Sequence, residues 1–466
     1  MVFKTFSWIL PDVFQYFGVW LLACFMLQAY FAWKLLGTVT NDAFIRLLGT
    51  GFFVFSYPFL MRIEGHFTLV GQFVIVAALY FNFAPTLKRR ILAWSILLTV
   101  TAALHPYLLV MVGVLWIADL VTRLLRHQIN KSMFRKEAIT VLSVLLATMW
   151  LVGYFTIGSA PTDEGFGYFR SNLLSLFDSN GWSFIVRGLP QVGGDYEGAA
   201  FLGSGVIALG AVALFRLFAH RTQLLSSMKN RIGLLVAIAV MGVFALSNNI
   251  GFGSKSWEYP LPQFLVNALG TFRASGRMIW PLFYLVVFGA VAATVKLNRR
   301  WVAIVLVSVA LLFQLIDSRE GWQSLRMQSS VESSSKWAST LQSPLWNELA
   351  THYSAIRWVT GGEEISSPPD IAYFAATHGM ATNAVSQARV NLHKRDEGIA
   401  QDALALASGN YSPNTLYILS PQAFLETMRT LNSTHDSVAN IDGLYVLVPN
   451  WKLCIECTPL TDNLPS

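Results

Sequence analysis

Residues 277–316 read RMIWPLFYLVVFGAVAATVKLNRRWVAIVLVSVALLFQLI, two apolar stretches on either side of a short basic loop. Each stretch, 277–296 and 301–316, approaches the length of a helix that crosses about 30 Å of hydrocarbon. Arg299 and Arg300 between them are typical of a cytoplasmic loop, because positive charge is retained on that side of a membrane. The segment therefore predicts a helical hairpin in a bilayer.

The same pattern recurs through the first two-thirds of the 466-residue chain. Hydrophobic residues make up 54% of the sequence and charged residues 13%, whereas soluble domains carry about 25% charged residues. Candidate spans lie at roughly 14–36, 43–60, 67–85, 91–104, 107–125, 138–157, 201–219, 232–248, 277–296 and 301–316. We therefore expect residues 1–316 to form an α-helical polytopic membrane domain of about ten spans.

From residue 317 the sequence becomes polar, and short apolar runs alternate with helical patterns. Strands are predicted at 355–359, 415–419 and 444–448, and helices at 371–377, 398–407 and 421–431. This alternation is typical of α/β domains. We expect residues 317–466 to form a small soluble α/β domain.

Loop charges predict how the spans are oriented. Basic residues cluster at 88–90, 123–136, 220–231 and 296–300, and we assign these four loops to the cytoplasm. The intervening loops and the C-terminal domain are then extracytoplasmic. This orientation places Met1 outside and predicts a further span and external loop before it. The alternative is a first helix that enters from outside without a leader.

Two local patterns predict structure on the external side. The first arm of the stretch 91–125 is only about 21 Å long before His105-Pro106, at 1.5 Å per residue, so we expect a helical hairpin with a buried or wet tip. Apolar runs at 173–177 and 264–269 predict helices that lie in the interface plane.

Ionisable residues near span ends gather on this external side, and such residues at membrane depth are functional candidates because their burial is expensive. They are Arg62, Glu64, His66, His105, Asp195, Glu197, Arg273 and Arg277.

Arg273 and Arg277 stand four residues apart at the start of a span, and guanidinium groups beside a helix N-terminus suit phosphate oxygens. Structural alternatives remain open: interfacial snorkelling of these two arginines, a proline-break cap at His105, a buried contact between helices for Arg62 and His66, and solvated loop charges for Asp195 and Glu197.

The sequence gives little support to metals, cofactors or nucleic acids. No His and carboxylate spacing resembles a metal site, so no cofactor is expected, and a divalent metal remains an open alternative. Cys454 and Cys457 form a C-x-x-C without a second ligand pair, which favours a small disulfide loop over zinc if this end is extracytoplasmic. The net charge of +7 arises from the cytoplasmic loops, so no nucleic-acid partner is expected.

Several short blocks together resemble a bacterial family of uncharacterised multispanning membrane proteins, over nearly the whole chain. The blocks are Phe14–Gly18, Arg62 with Gly65-His66, His105-Pro106-Tyr107, Tyr196–Gly198 and Phe272–Arg277. That family looks like a member of the GT-C glycosyltransferase superfamily, which uses polyprenyl-phosphate sugars at the external face. The resemblance implies a GT-C-like fold and a catalytic carboxylate in a first external loop. That loop would precede Met1, so no catalytic residue is assigned.

The resemblance implies a multi-pass glycosyltransferase of the bacterial inner membrane, with a periplasmic C-terminal domain. It would move a sugar from a polyprenyl-phosphate donor to an envelope glycan or lipid acceptor. We expect Arg273 and Arg277 to bind phosphate, Arg62 and His66 to support the donor or acceptor, and Asp195 and Glu197 to bind sugar hydroxyls. The alternatives are a transporter or flippase of lipid-linked sugars and a non-catalytic cell-envelope binding protein.

Overall fold

The computed structural model of the chain describes residues 8–10, 15–84, 87–155, 166–190, 193–219, 231–330, 339–360, 368–385, 392–455, 457–458 and 460. These residues form two compact units. The first unit contains the described residues up to 330, and the second contains those from 339 onward.

The first unit is mostly helical. Its helices are α1 (Phe17–Leu36), α2 (Ala43–Val54), α3 (Tyr57–Leu60), α4 (Phe73–Phe83), α5 (Arg90–Leu104), α6 (Pro106–Leu125), α7 (Lys131–Leu151), α8 (Ser204–Ala219), α9 (Ile232–Leu246), α10 (Gln263–Gly270), α11 (Trp280–Leu297), α12 (Arg300–Asp317) and α13 (Arg319–Ser329). Short 3-10 helices cover Met61–Ile63, Phe67–Val70, Asp195–Gly198 and Ser275–Ile279. A hairpin of two antiparallel strands, β1 (Asn249–Phe252) and β2 (Lys255–Glu258), completes the unit.

Four of these helical segments are long and apolar enough to cross a membrane. They are Phe17–Leu36, Pro106–Leu125, Ser275–Leu297 and Arg300–Asp317. A fifth arises if Ala43–Val54 and Tyr57–Ile63, bent by 50°, form one span. Shorter apolar helices lie at Phe67–Phe83, Arg90–Leu104, Ser204–Arg216 and Ile232–Leu246. The first unit thus contains several helices of membrane-spanning character, whereas the expected number of about ten spans stays a prediction.

A chain of polar side chains crosses the buried interior of this unit. The Gln28 amide donates to the Tyr284 hydroxyl at 3.0 Å, and this hydroxyl donates to Gln72 Oε1 at 2.7 Å. The Gln72 amide in turn donates to the carbonyl of Pro58 at 2.7 Å. These bonds join α1, α11 and the start of α4, since polar groups away from water must find partners inside the protein.

The break predicted at His105-Pro106 is confirmed, because α5 ends at Leu104 and α6 begins at Pro106. His105 has an extended backbone, with φ of −163° and ψ of 135°, and its Nδ1 accepts a hydrogen bond from the Tyr107 amide at 3.2 Å. His105 therefore caps α6, which is the structural alternative considered for it.

Of the two runs predicted to form interfacial helices, one is helical, and its position in the interface plane stays a prediction, whereas the helix predicted for the other is wrong. The run 264–269 lies inside helix α10. The run 173–177 forms consecutive turns instead. Asn172 directs this outcome, because its Oδ1 accepts from the amides of Leu174 and Gly253 and thereby ties the run to the β1–β2 turn.

The second unit is a small α/β fold, as predicted. Its helices are α14 (Leu345–His352), α15 (Pro369–Thr377), α16 (Leu392–Ser408) and α17 (Pro421–Thr430). Its strands are β3 (Ala355–Val359), β4 (Ala381–Thr382), β5 (Thr415–Leu419), β6 (Ser437–Ile441) and β7 (Leu444–Val448), in the order β4-β3-β5-β7-β6. Strand β3 is parallel to β4 and β5, whereas β7 is antiparallel to β5 and β6.

Apolar side chains cover both faces of this sheet. Trp346 and Phe374, from α14 and α15, belong to a buried cluster with Ile356 of β3. Leu406 of α16 and Ala423 of α17 belong to a second buried cluster. The sheet is therefore covered by helices on both sides, which is the layered arrangement that parallel strands require.

Candidate functional site

Three of the predicted site residues meet in the interior of the first unit and form what we call the Glu197 cluster: Arg62, Glu197 and Arg277. Arg277 holds the Glu197 carboxylate in a bidentate pair, with Nε–Oε2 at 2.9 Å and Nη2–Oε1 at 2.6 Å. Arg62 Nη2 contacts the same carboxylate at 2.8 Å and donates to the Glu197 carbonyl at 3.0 Å. The exposed fractions are 1% for Arg62, 4% for Glu197 and 8% for Arg277. Two guanidinium groups thus share one buried carboxylate.

Close approach of backbone segments sets the position of this cluster. Gly198 directly follows Glu197, and Gly276 directly precedes Arg277. A Cβ on Gly276 would lie 2.5 Å from the Arg170 carbonyl group and 2.8 Å from the Gly198 Cα. The Gly276 amide also donates to the Phe169 carbonyl at 3.0 Å. Because glycine has no side chain, the backbones at Gly198 and Gly276 can approach closely. Glu197 and Arg277 then lie near enough to form the ion pair.

Aromatic rings form part of the cluster's surroundings. The Arg277 guanidinium lies 4.7 Å from the Tyr107 ring centre, and the Arg62 guanidinium lies 5.3 Å from the Trp280 ring centre. The Tyr107 hydroxyl accepts a hydrogen bond from the Ala274 amide at 2.9 Å. Ring faces stabilise cations, and an apolar surrounding strengthens charge–charge interactions.

The electrostatic surroundings lower the pKa values of both the Glu197 carboxyl group and the neighbouring His66 imidazole. Burial raises the pKa of Glu197, but the hydrogen bond from Arg277 and the charges of Arg62 and Arg277 outweigh it and hold the pKa at about 2. Desolvation, followed by the positive charge of Arg62, lowers the pKa of His66 below its ordinary value of 6.5. Near pH 7 Glu197 is therefore ionised and His66 is neutral.

The residues between Arg62 and His66 do not form the continuous helix that would place both side chains on one face. A 3-10 helix ends at Ile63, and Gly65 has a φ of +120°. The His66 amide still donates to the Arg62 carbonyl at 3.1 Å, and both Glu64 and His66 are exposed. The turn leaves Arg62 buried and places the imidazole at the surface.

Asp195 belongs to a different pair. Its carboxylate accepts from Arg170 Nε at 3.1 Å and from the Asn172 amide at 2.9 Å. Arg170 also donates to the carbonyl and the side-chain oxygen of Asn249. Asp195 therefore lies in a buried one-to-one pair with Arg170, rather than among solvated loop charges.

The two arginines predicted to act together have different surroundings. Arg277 is paired with Glu197, whereas the Arg273 guanidinium lies 5.3 Å from the Phe169 ring centre. Arg273 precedes the 3-10 helix Ser275–Ile279 and Arg277 lies inside it. The helical spacing inferred from sequence does not hold here, because the regular helix starts only at Trp280.

A further buried charge cluster was not predicted from the sequence. The Asp119 carboxylate contacts Arg90 at 2.7 Å and Arg123 at 3.1 Å, and it accepts from Trp94 Nε1 at 3.0 Å. Arg123 also contacts Glu137 at 2.6 Å. An acidic residue within the apolar segment 106–125 is the signal that could have revealed it. This cluster contains two arginines and two carboxylates and is neutral.

In the described part of the chain, one group of three His, Cys or acidic side chains has ligand atoms close enough for a metal ion. It consists of His352, Cys454 and Cys457, with ligand atoms within 4.8 Å of one another. The two cysteines are joined in a disulfide.

A mostly helical unit with apolar helices of membrane-spanning length, followed by a small α/β unit, has the features of a membrane protein. The chain belongs to the family described as domain of unknown function DUF6311, which matches residues 1–319. The DUF6311 C-terminal domain matches residues 345–449. No curated protein and no solved structure matches the chain.

Proposed function

We propose that this protein is a membrane-embedded glycosyltransferase that uses a sugar linked to a polyprenyl phosphate, and that the Glu197 cluster binds the phosphate. The donor and the bacterial envelope acceptor come from the GT-C resemblance of the sequence. The proposal places the reaction in the first unit, next to His66. The second unit would bind the acceptor on the periplasmic side of the inner membrane.

The observation that carries the proposal is the charge of the Glu197 cluster. Two guanidinium groups and one carboxylate leave one positive charge in the protein interior. Arg62 Nε is buried and has no hydrogen-bond partner among the described residues. Uncompensated buried charge is expensive, and a phosphodiester carries the single negative charge that would balance it. Arginine also matches phosphate oxygens geometrically.

The same charge favours transfer over simple binding. When the sugar leaves a phosphodiester, the departing polyprenyl phosphate gains negative charge. Arg62 and Arg277 interact more strongly with this developing charge than with the bound donor. Such differential stabilisation is what lowers a reaction barrier.

The pKa directions separate the roles of the two groups. Glu197, with a pKa of about 2, is a weak base and serves to hold both arginines. His66 is exposed and neutral near pH 7 because its pKa is lowered. In the proposed step a base takes the proton of the acceptor hydroxyl, the hydroxyl oxygen bonds to the anomeric carbon, and the bond from that carbon to the phosphate oxygen breaks, while the neutral His66 supports the donor or acceptor by hydrogen bonding.

The test uses full-length protein in proteoliposomes with a radiolabelled polyprenyl-phosphate sugar and a membrane acceptor fraction. Wild type is expected to transfer label and release polyprenyl phosphate. Arg277→Ala is expected to lower the rate about 100-fold or more, as loss of one preorganised donor does elsewhere. Arg277→Lys keeps the charge but loses the bidentate geometry, so we expect an intermediate rate.

Arg300→Ala is the matched control, because this exposed arginine pairs with Asp42 and lies over the Trp301 ring. It is expected to retain wild-type activity. Movement of intact donor between leaflets without bond cleavage would instead identify a carrier. If Arg277→Ala folds normally and keeps the wild-type rate and donor affinity, the assignment of the phosphate site is wrong.

A further inference from the structure

The second unit brings a histidine next to the C-x-x-C segment. His352 is the last residue of helix α14, and Cys454 directly follows the 3-10 helix Trp451–Leu453. The imidazole Nε2 lies 3.5 Å from the Cys457 sulfur. A separation of 105 residues conceals this arrangement in the sequence.

Contacts around the three side chains hold the two segments together. The Tyr353 hydroxyl donates to the Pro449 carbonyl at 2.6 Å, and the Thr458 amide donates to Glu348 Oε1 at 2.8 Å. The His352 ring also packs edge-on against the buried Trp451, with ring centres 5.6 Å apart. The position of the imidazole beside the sulfur atoms is therefore supported on both sides of the C-x-x-C segment.

We propose that Cys454, Cys457 and His352 form a zinc site when the disulfide is reduced. Two thiolates at C-x-x-C spacing and one imidazole are a preferred zinc ligand set, and the three ligand atoms already lie within 4.8 Å of one another. The Glu348 carboxylate, one helical turn before His352, accepts from the Thr458 amide, so a water would supply the fourth ligand.

The proposed site can exist in two states, a disulfide and a zinc-bound dithiolate. A dithiol reductant transfers two electrons and two protons to the Cys454–Cys457 disulfide and becomes a disulfide itself. Zinc then bonds to both sulfur atoms and displaces their protons into solvent. The disulfide and the metal use the same sulfur atoms, so each excludes the other. Reducing conditions therefore favour the metal-bound form, and oxidising conditions favour the disulfide.

The experiment titrates Co²⁺ and then Zn²⁺ into purified full-length protein, once oxidised and once reduced with a phosphine under anaerobic conditions. Reduced wild type is expected to bind one Co²⁺ with thiolate-to-cobalt charge-transfer absorption, and Zn²⁺ should displace it. Oxidised protein should show no such absorption. His352→Ala is expected to weaken binding at least about tenfold, since even indirect partners of a zinc site contribute that much.

His393→Ala is the matched control, because this exposed histidine pairs with Glu397 on the surface of α16. It should bind as wild type does. Cys457→Ser should abolish the charge-transfer absorption. The proposal is overturned if reduced wild type lacks this absorption, if His352→Ala binds like wild type, or if the absorption persists in Cys457→Ser. These outcomes concern the second unit alone and are independent of sugar transfer.

Discussion

Replacing Glu197 by glutamine isolates the electrostatic contribution of the buried cluster. The side chain keeps its size, but an amide group takes the place of one carboxylate oxygen and can no longer accept from a guanidinium. Arg62 and Arg277, which are 1% and 8% exposed, then lose their shared counter-charge. Removal of one partner from a buried ion pair is destabilising, because the remaining charge stays buried without compensation.

The pKa of Glu197 provides the magnitude. Its ordinary value is 4.5 and its value in the folded protein is about 2. A difference of this size corresponds to about 3 kcal/mol of stabilisation of the folded state by the ionised carboxylate. This agrees with the roughly 3–5 kcal/mol that broken buried ion pairs lose. Because the folded pKa is depressed, the stabilisation is complete above pH 4.5 and disappears as the pH falls through about 2.

The assay is thermal unfolding of full-length protein in detergent, followed by tryptophan fluorescence. At neutral pH we expect Glu197→Gln to lower Tm by roughly 6–12 °C, if about 2–4 °C corresponds to each kcal/mol. The difference from wild type should shrink as the pH falls below 4.5. Glu258→Gln, at an exposed position of β2, is the matched control and should leave Tm unchanged. Equal Tm values for wild type and both variants at neutral pH would refute the reasoning.

Two further predictions concern the same region. Gly276→Ala would place a Cβ 2.5 Å from the Arg170 carbonyl group, so we expect it to lower the free energy of unfolding by about 1–3 kcal/mol or more, measured by thermal unfolding. The control is Gly289→Ala, whose Cβ would meet nothing within 4 Å and should not lower Tm. Because the pKa of His66 is lowered in the folded protein, the unfolded chain binds a proton at this residue more readily than the folded protein does. The contribution of His66 to stability is therefore complete above pH 6.5 and falls as the pH decreases toward the folded pKa. His66→Gln should remove that slope, measured as the change in Tm between about pH 7.5 and about pH 5.5.

Strands of the second unit were predictable where apolar residues run uninterrupted between turn signals. The predicted bounds of β3, β5 and β7 agree with the structure. Strand β6 was missed, since Ser437–Ile441 has only two bulky apolar residues. Its pairing with β7, from Ser437 opposite Val448 to Ile441 opposite Leu444, makes it a strand. Local sequence thus identified strands with strong intrinsic patterns and missed both β6, which depends on its partner, and the two-residue strand β4.

The three residues of the Glu197 cluster were among the eight candidates taken from the sequence, but their meeting in one cluster was not predicted. Sequence position marks Arg62, Glu197 and Arg277 as ionisable residues near the ends of apolar segments. Arg277 and Glu197 are 80 residues apart, and their contact depends on backbone approach at Gly198 and Gly276. No local periodicity encodes such an approach, so the expected pairing of Arg273 with Arg277 came from helical spacing alone.

Charge balance distinguishes the three buried ion-pair clusters found in the described part of the first unit. The pair of Arg170 and Asp195 is neutral, and so is the cluster that contains Asp119. Neutral clusters satisfy their own charges and need no ligand, so a role in packing explains them. The Glu197 cluster contains two arginines and one carboxylate, and it alone of the three has an excess charge. In a low-dielectric interior, a bound anion would stabilise this positively charged cluster more than it would stabilise either neutral cluster. For this reason we propose phosphate binding at the Glu197 cluster and not at the other two.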